Sequence, residues 1–224
     1  MLCLSGSFST GYFRRKIWIY CSPPPQEKEE DKMKILIACE ESQTVCKAFR
    51  TKGHEAYSCD ILPPSGGKPE WHIQKNVLDV LEDGWDMMIA FPPCTHLAVS
   101  GAAWFKKKKT EQMAALRFVR YLLTCNIPKI ALENPVSIIS TKIRKPDQII
   151  HPYQFGHLEQ KTTCLWLKNL PRLKETKNVK EEMMKLPKNK RERLHYLPPT
   201  KDRALLRSKT FQGIANAMAE QWNF

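Results

Sequence analysis

Short apolar segments alternate with amphipathic segments from Met33 onward, and the alternation predicts an order of strands and helices. Apolar runs of strand length fall at residues 34–38, 55–59, 85–90, 129–132 and 163–167, and a further strand is expected near Leu173. Helical spacing falls at residues 43–51, 77–81, 110–125 (capped by Thr110) and 213–221. Strands separated by helices favour parallel connections, so the predicted fold class is α/β with a doubly wound, mostly parallel sheet.

The first 32 residues show no such periodicity and contain Pro23-Pro24-Pro25 followed by a charged run. We expect them to form a non-native or disordered extension outside the fold. The codons of Glu27-Lys28-Glu29-Glu30 are purine-rich and lie just before Met33, as a bacterial ribosome-binding site does, which predicts a natural start at Met33. Mass spectrometry of protein made from the native gene context would contradict this if the full-length amino terminus predominated.

The net charge of the chain indicates a class of binding partner. The 224 residues carry a formal net charge of +13, and basic residues cluster at positions 106–109 and 174–203. A surface of this sign attracts polyanions such as DNA or RNA, although a merely solvated basic surface explains the charge equally well. The sequence predicts no membrane span and no secretory signal, and we expect a cytoplasmic protein. Eight cysteines without a C-x-x-C pattern favour neither a zinc site nor disulfides.

Candidate chemistry follows four of the predicted strands. The segment Cys39-Glu40-Glu41-Ser42 follows the first strand, Asp60 the second, Pro92-Pro93-Cys94 the third and Glu133-Asn134-Pro135 the fourth. Ligands of open α/β sheets bind beyond the carboxyl ends of the strands, so we expect these segments to form one site. A thiol facing a carboxyl group suits chemistry on a pyrimidine, whereas hydrolysis by Cys94 and His96 ranks lower because no oxyanion-hole motif accompanies them.

Three segments resemble motifs of the cytosine-C5 DNA methyltransferases, most closely the short phage-encoded type. Pro92-Pro93-Cys94 with Ser100-Gly101 is similar to the nucleophile loop, and Glu133-Asn134-Pro135 to the Glu-Asn motif. The run from Gln212 to Ala217 is similar to the carboxyl-terminal Gly-Asn-Ala segment. The resemblance runs from Met33 to the carboxyl terminus and implies a class I, Rossmann-like methyltransferase architecture.

The resemblance also implies roles for individual residues. Cys94 would add to C6 of cytosine, Glu133 would contact N3 and the exocyclic amine, and Asn134 would brace the loop. Lys161 matches a position of the family's Gln-x-Arg-x-Arg segment. The implied cofactor is S-adenosylmethionine, with Asp60 on its ribose, and the implied partner is DNA, whose target base must leave the duplex. The implied cofactor contacts are Cys39, Glu40, Glu41, Ser42, Asp60, Ile61, Asn76, Pro92, Asn216 and Ala217.

The resemblance divides the chain into a catalytic core over residues 33–173, a short basic insert over 174–206 and a terminal segment over 207–224. The insert stands where the family has a target-recognition domain, and its shortness predicts low sequence specificity. It is either a phosphate-binding segment or a disordered charged loop. The nucleic-acid contacts predicted from the basic clusters are Lys106, Lys107, Lys108, Lys109, Lys188, Lys190, Arg191, Arg193, Arg203 and Arg207.

Two other functions stay open from the sequence. The missing recognition domain would suit modification of a free pyrimidine nucleotide, which the positive charge disfavours. The glycine-free loop with Glu40 and Glu41 would suit a silent nucleic-acid-binding protein that has lost cofactor binding. Such a protein would need neither Cys94 nor Glu133, so their presence favours an enzyme. No spacing of histidines or cysteines predicts a metal site.

Overall fold

The computed structural model describes residues 32–100, 108–200 and 202–224. The predicted extension, apart from Lys32, therefore lies outside the described residues, as do the predicted DNA contacts Lys106 and Lys107. The centre of the described fold is a seven-stranded sheet. Its strands are β1 Lys34–Ala38, β2 Glu55–Asp60, β3 His72–Gln74, β4 Met87–Ala90, β5 Lys129–Pro135, β6 Gln148–Ile150 and β7 Thr163–Lys168.

The strands lie in the order β3-β2-β1-β4-β5-β7-β6. The first five strands in this order pair in parallel, whereas β7 runs antiparallel to both β5 and β6. The order 3-2-1-4-5-6 is that of Rossmann sheets, and here an antiparallel strand is inserted before the last position. The predicted fold class, a doubly wound and mostly parallel α/β sheet of Rossmann-like architecture, is confirmed.

Helices cover both faces of the sheet, which explains why β1 is apolar at almost every position. The helices are α1 Thr44–Arg50, α2 Lys109–Thr124, α3 Ile139–Lys142, α4 Lys180–Met184, α5 Lys188–Arg191, α6 Arg203–Ser208 and α7 Gln212–Gln221. Ile35 and Ile37 pack in one core cluster with residues of α1 and α7. Leu36 and Ala38 pack in a second cluster with residues of α2 and α3. A strand buried on both faces is a continuous apolar run.

The structure corrects several predicted boundaries. β5 does not end at Leu132 but continues to Pro135, because the antiparallel strand β7 extends its hydrogen-bonded ladder. Thr110 is not a helix cap, since α2 begins at Lys109 and Lys108 occupies the cap position. No strand forms near Leu173. The two short strands β3 and β6 were not predicted, and the residues predicted as a helix from Val77 form one turn of 3-10 helix.

The basic insert is folded within the described residues. It contains α4 and α5 and the first residues of α6. Glu159 anchors it, because its carboxylate accepts hydrogen bonds from Arg193 Nη2 at 3.0 Å and from the Leu194 amide at 3.2 Å. The amide of Gln160 also donates to the carbonyl of Arg191 at 2.6 Å. The insert is therefore tied to the segment that precedes β7, and the disordered-loop interpretation is wrong for its described part.

The described residues contain no candidate for a membrane-spanning helix or for a metal site. None of their helices combines the length and apolar character that crossing a membrane requires. No group of three or more histidine, cysteine, aspartate or glutamate side chains in the same residues is arranged to hold a metal ion.

Candidate active site

Sheet register brings the predicted segments to one edge. Ala38, the last residue of β1, pairs with Cys59 of β2 on one side and with Ala90 of β4 on the other. Ala90 in turn pairs with Leu132 of β5. The segments that begin at Cys39, Asp60 and Phe91, together with Glu133, therefore lie next to one another. The predicted meeting of four segments at the carboxyl edge is what the backbone shows.

The loop that carries Cys94 is fixed at both ends. The Phe91 amide donates to the Ala38 carbonyl at 2.9 Å, which holds the loop against the end of β1. The Cys94 carbonyl accepts from the amides of Leu97 and Ala98 at 3.0 and 2.9 Å, which closes a turn directly after the cysteine. Cys94 itself is exposed. The thiol is therefore presented to solvent on a constrained backbone.

The Cys94 loop and the segment after Glu133 are joined by hydrogen bonds. Asn134, which is buried, donates from Nδ2 to the Pro92 carbonyl at 2.9 Å. Beyond it, the Val99 amide donates to the Val136 carbonyl at 3.1 Å, and the Ile138 amide donates to the Leu97 carbonyl at 3.0 Å. The bracing role expected for Asn134 thus has a direct geometric basis, and Pro92 contributes its carbonyl to it.

Cys94 and Glu133 are electrostatically coupled to each other and to two cations. The pKa of the Cys94 thiol is raised by partial removal from water and by the Glu133 carboxylate, and is lowered by Lys161 and Arg207. Burial raises the pKa of Glu133, against the opposing effect of Lys161. A thiol, a carboxyl group and two cations therefore share one site. The predicted catalytic residues Cys94, Glu133 and Lys161 are brought together, and Asn134 braces them.

Several residues of this site were not predicted from sequence. A small pocket beside Glu133 and Lys161 is completed by side chains from β7 and from the segment around the start of α7, which are Thr163, Thr210, Phe211, Ile214 and Met218. Arg207 was predicted as a DNA contact, but it also acts on Cys94, and its carbonyl accepts from Lys161 Nζ at 3.2 Å. The only sequence signal for these pocket residues was that they lie close along the chain to Lys161 or to the Gln212–Ala217 motif.

The charges around Cys94 predict how its reactivity depends on pH. Because Glu133 raises the pKa of the thiol and Lys161 and Arg207 lower it, Glu133→Gln should shift the alkylation midpoint of Cys94 to lower pH. Lys161→Met and Arg207→Met should shift the midpoint to higher pH. The measurement is the rate of iodoacetamide labelling of Cys94 against pH, with Cys94→Ala as the background. Equal midpoints in all variants would contradict the coupling.

The loop after β1 contains two non-glycine residues with a left-handed backbone conformation. Cys39 and Gln43 adopt φ of 59° and 57°, in the left-handed region that residues other than glycine rarely adopt. Gln43 is fully buried, and its side chain bonds to both the amide and the carbonyl of Lys68. Strain of this kind persists only where surrounding contacts enforce it, which is common at binding sites. The backbone can thus turn sharply here without a glycine.

The two acidic side chains of this loop are directed inward. Glu40 is 5% exposed, and its carboxylate accepts from the amides of Val45 and Cys46 at 2.7 and 3.2 Å, at the start of α1. Glu41 is 8% exposed and accepts a hydrogen bond from Ser65 Oγ. Both predicted cofactor contacts therefore already have protein partners. Cofactor contacts from this loop would come from its backbone and from Cys39 and Ser42.

The buried carboxyl group of Glu40 should make the stability of the fold depend on pH. Burial raises its pKa from 4.5 to about 7, although the amides of Val45 and Cys46 oppose this shift. Because the folded state then retains a proton that the unfolded chain releases, stability declines as pH rises from about 4.5 through about 7. The free energy of unfolding in urea should therefore fall for wild type relative to Glu40→Gln between about pH 5 and about pH 8, by up to about 3 kcal/mol. If the free energy of unfolding depends on pH equally in the two proteins, this account is wrong.

The remaining predicted cofactor contacts lie at the ends of β2 and β3 and on α7. Asp60 accepts from the Leu62 amide at 2.9 Å through Oδ1, and Ile61 beside it is 72% exposed. Asn76 caps a 3-10 turn by accepting from the Leu78 amide at 3.1 Å. Asn216 is exposed and accepts from Gln212, but the side chain of Ala217 is buried in the core. Ala217 could therefore contribute only indirectly.

Gly213 explains the glycine of the Gln212–Ala217 motif. A Cβ at this position would lie 2.0 Å from the Phe155 carbonyl oxygen and 2.9 Å from His157 Nε2. The Gly213 amide donates to that same nitrogen at 2.9 Å. Only glycine permits this close approach, which sets the start of α7 against the segment before β7.

The predicted DNA contacts separate into two groups. Arg191, Arg193 and Arg203 already donate to Leu186, Glu159 and His195 respectively. They hold the insert together as well as adding charge. The other predicted DNA contacts that the structure describes have exposed side chains. They are Lys108, Lys109, Lys188, Lys190 and Arg207.

Comparisons with known proteins add little to this geometry. No protein-family profile matches the chain, and no curated protein matches it. One matching solved structure is an Escherichia coli protein encoded within a prophage and provisionally described as a DNA modification methyltransferase, with 15% identity and a TM-score of 0.38. The match covers 69% of this chain and 55% of that one, so the chain spans about half of its length. A similarity this weak assigns no function.

Proposed function

We propose that the protein is an S-adenosylmethionine-dependent methyltransferase that acts on C5 of cytosine in DNA. The observation that carries the proposal is the coupling of an exposed thiol, Cys94, with the carboxyl group of Glu133 at the ends of adjacent parallel strands. Asn134 joins the two segments through Pro92. The cytoplasm, that of a bacterial host if the gene belongs to a phage, is the compartment in which this reaction would occur.

The paired groups suit the activation of a pyrimidine ring. The Cys94 proton leaves to solvent or a base, and the thiolate forms a bond from Sγ to C6. The C5–C6 π electrons then become available at C5. Protonated Glu133 donates a hydrogen bond or proton to N3 and so disperses the negative charge. After methylation, a base or water takes the C5 proton, and cleavage of the Sγ–C6 bond restores the double bond and the thiolate. A proton given to N3 returns to Glu133.

The raised pKa of Glu133 fits the role of an acid. Burial keeps a larger fraction of Glu133 protonated than in an exposed carboxyl group. The neutral carboxyl group can donate, and its neutrality also removes the charge that opposes formation of the thiolate. Lys161 and Arg207 favour the thiolate form of Cys94. The two cations oppose the effect of burial, which raises the pKa of the Cys94 thiol. Nucleophilic attack requires a protonated acid beside a thiolate.

Residues at the neighbouring strand ends suit the cofactor. Asp60 offers Oδ2, to which no described residue donates, as an acceptor for a ribose hydroxyl, and exposed Ile61 offers an apolar surface for adenine. Asn76 follows β3 at the same edge. S-adenosylmethionine, when bound, supplies an electrophilic methyl group. Inward-facing Glu40 and Glu41 weaken the argument for a silent binding protein, because they add little negative charge to the exposed surface of the loop.

The charge and the insert support a DNA substrate that is recognised with low sequence specificity. The net charge of +13 disfavours a free nucleotide as the main partner. The insert contains two short helices of five and four residues, α4 and α5, which offer little surface for reading base edges. Exposed Lys188 and Lys190 on α5 can contact phosphates, which position DNA without specifying a sequence.

Covalent trapping tests the proposal. The full chain is incubated with S-adenosylmethionine and an oligonucleotide that contains 5-fluorocytosine, as a single strand and as a duplex. Fluorine at C5 blocks the final elimination, so we expect a cofactor-dependent, denaturant-resistant adduct. Free 5-fluorodeoxycytidine monophosphate serves as the comparison, and preferential trapping of this nucleotide would favour the nucleotide-modifying alternative. Retained DNA binding without any adduct or cofactor binding would overturn the enzyme assignment.

A further inference from the structure

A second pocket lies at the edge formed by the amino ends of the strands, whereas Cys94 lies at the edge formed by their carboxyl ends. It has a volume of about 550 Å³, within the range of about 300–1,000 Å³ that small-ligand sites occupy. Gly53 and His54 line it and directly precede β2 at the amino edge, whereas Cys94 follows the carboxyl end of β4. We call it the Trp71 pocket, and its lining residues are Lys32, Lys47, Arg50, Thr51, Gly53, His54, Lys68 and Trp71.

The lining of the Trp71 pocket has one sign of charge. Four of its eight residues carry a positive charge and none carries a negative one. The carboxylate of Glu70 lies 3.7 Å from Lys68 Nζ, but both side chains are about half exposed. An exposed ion pair of this kind neutralises little of the local field. A concave surface with such a lining selects for anions.

Arg50 is held in one orientation and has unused hydrogen-bonding capacity. Its Nε donates to the Ala56 carbonyl at 2.7 Å. Its guanidinium carbon lies 4.8 Å from the ring centre of Tyr57 and 4.9 Å from that of Trp71. Its Nη2 is buried and has no hydrogen-bond partner among the described residues. The guanidinium group lines the pocket and can donate charge-assisted hydrogen bonds to a phosphate oxygen.

The lysines of the pocket are positioned by the neighbouring loops. The Lys68 backbone is fixed by Gln43, which bonds to its amide at 3.0 Å and to its carbonyl at 2.6 Å. Lys68 Nζ lies 5.1 Å from the Trp71 ring centre. Lys47 Nζ donates to the Gly66 carbonyl. The cations are thus largely preorganised, which reduces the entropy lost when an anion binds.

We propose that the Trp71 pocket binds phosphate groups of a polynucleotide strand, at a site remote from Cys94. The guanidinium fork of Arg50 provides directional contacts to phosphate oxygens, and the lysines provide point charges on either side. Cations drawn from both α1 and the segment before β3 suit a strand that passes across the opening. The net charge of +13 supports a polyanionic partner. Phosphate contacts at this site would orient DNA and lengthen its footprint without reading its sequence.

The test is the salt dependence of oligonucleotide binding by the full chain. Fluorescence anisotropy with a labelled single strand gives the slope of log affinity against log salt concentration. Lys68→Met should reduce this slope by about 0.7, the value for one lost phosphate contact, and Arg50→Lys should weaken binding although its charge is kept. Lys52→Met is the matched control, because Lys52 lies outside the lining and pairs with Glu220.

Each outcome decides the proposal. Equal slopes for Lys68→Met and Lys52→Met, with Arg50→Lys binding as wild type, would overturn it. Binding of a free nucleotide or inorganic phosphate in the pocket that oligonucleotide does not displace would also overturn it in favour of a free phosphate ligand. The readout is independent of methyl transfer. If wild type forms no adduct at Cys94, the proposed enzyme function fails while the salt slopes still decide the pocket.

Discussion

Replacement of Cys94 by alanine is expected to abolish both the covalent adduct with 5-fluorocytosine DNA and methyl transfer. The loss should reach at least about 10³-fold in kcat, because the substitution removes the atom that forms the bond to C6. Cys94 is exposed, so the fold and DNA affinity should be retained. Radiolabelled methyl incorporation and denaturing electrophoresis measure the two losses separately.

Cys125→Ala provides the matched control for this experiment. Cys125 caps the end of α2 and is buried, and its thiol donates to the Leu122 carbonyl at 3.3 Å. This substitution removes a thiol without touching the proposed site, so adduct and activity should match wild type. Methyl transfer that survives in Cys94→Ala would show that the nucleophile is another residue, or that the reaction does not proceed through a thiol adduct.

Strands buried on both faces were predictable because their sequences are nearly continuous apolar runs. β1 is such a strand and matched its prediction residue for residue. β2 contains more polar residues and exceeded its prediction by one residue. β3 and β6 escaped prediction because each has three residues, and in β3 only Ile73 is apolar. Such edge strands form because the neighbouring strand offers unpaired backbone groups, and this tertiary effect leaves little periodicity in the sequence.

The site was predictable where it depends on strand ends and unpredictable where it depends on side-chain direction. The chain order of Cys94 and Glu133 sufficed to place them together, because parallel strands end at a common edge. Nothing in the sequence showed that Glu40 turns inward to the start of α1. The approach of Arg207 to Cys94 depends on how α6 packs after the insert, which is a long-range contact.

Glu133→Gln is expected to lower kcat by about 10²- to 10⁴-fold, the range for removal of a general acid. The KM for DNA should change little, because Glu133 acts on the flipped base rather than on the phosphates that hold the strand. Glutamine keeps the size and can still donate a hydrogen bond, so the loss reports the transferable proton. Glu82→Gln is the matched control, since Glu82 is exposed near the amino end of β4.

The pH profile separates this role from a structural one. The pKa of Glu133 is raised by burial, so its protonated form persists to higher pH than usual and is lost as pH rises through that value. Wild-type activity should therefore fall on the alkaline side, while ionisation of Cys94 raises activity with pH. Glu133→Gln should lose the descending limb and keep only the rising limb, which ionisation of Cys94 produces. An unchanged bell-shaped profile at reduced height would instead assign Glu133 a purely structural role and leave the acid to another group.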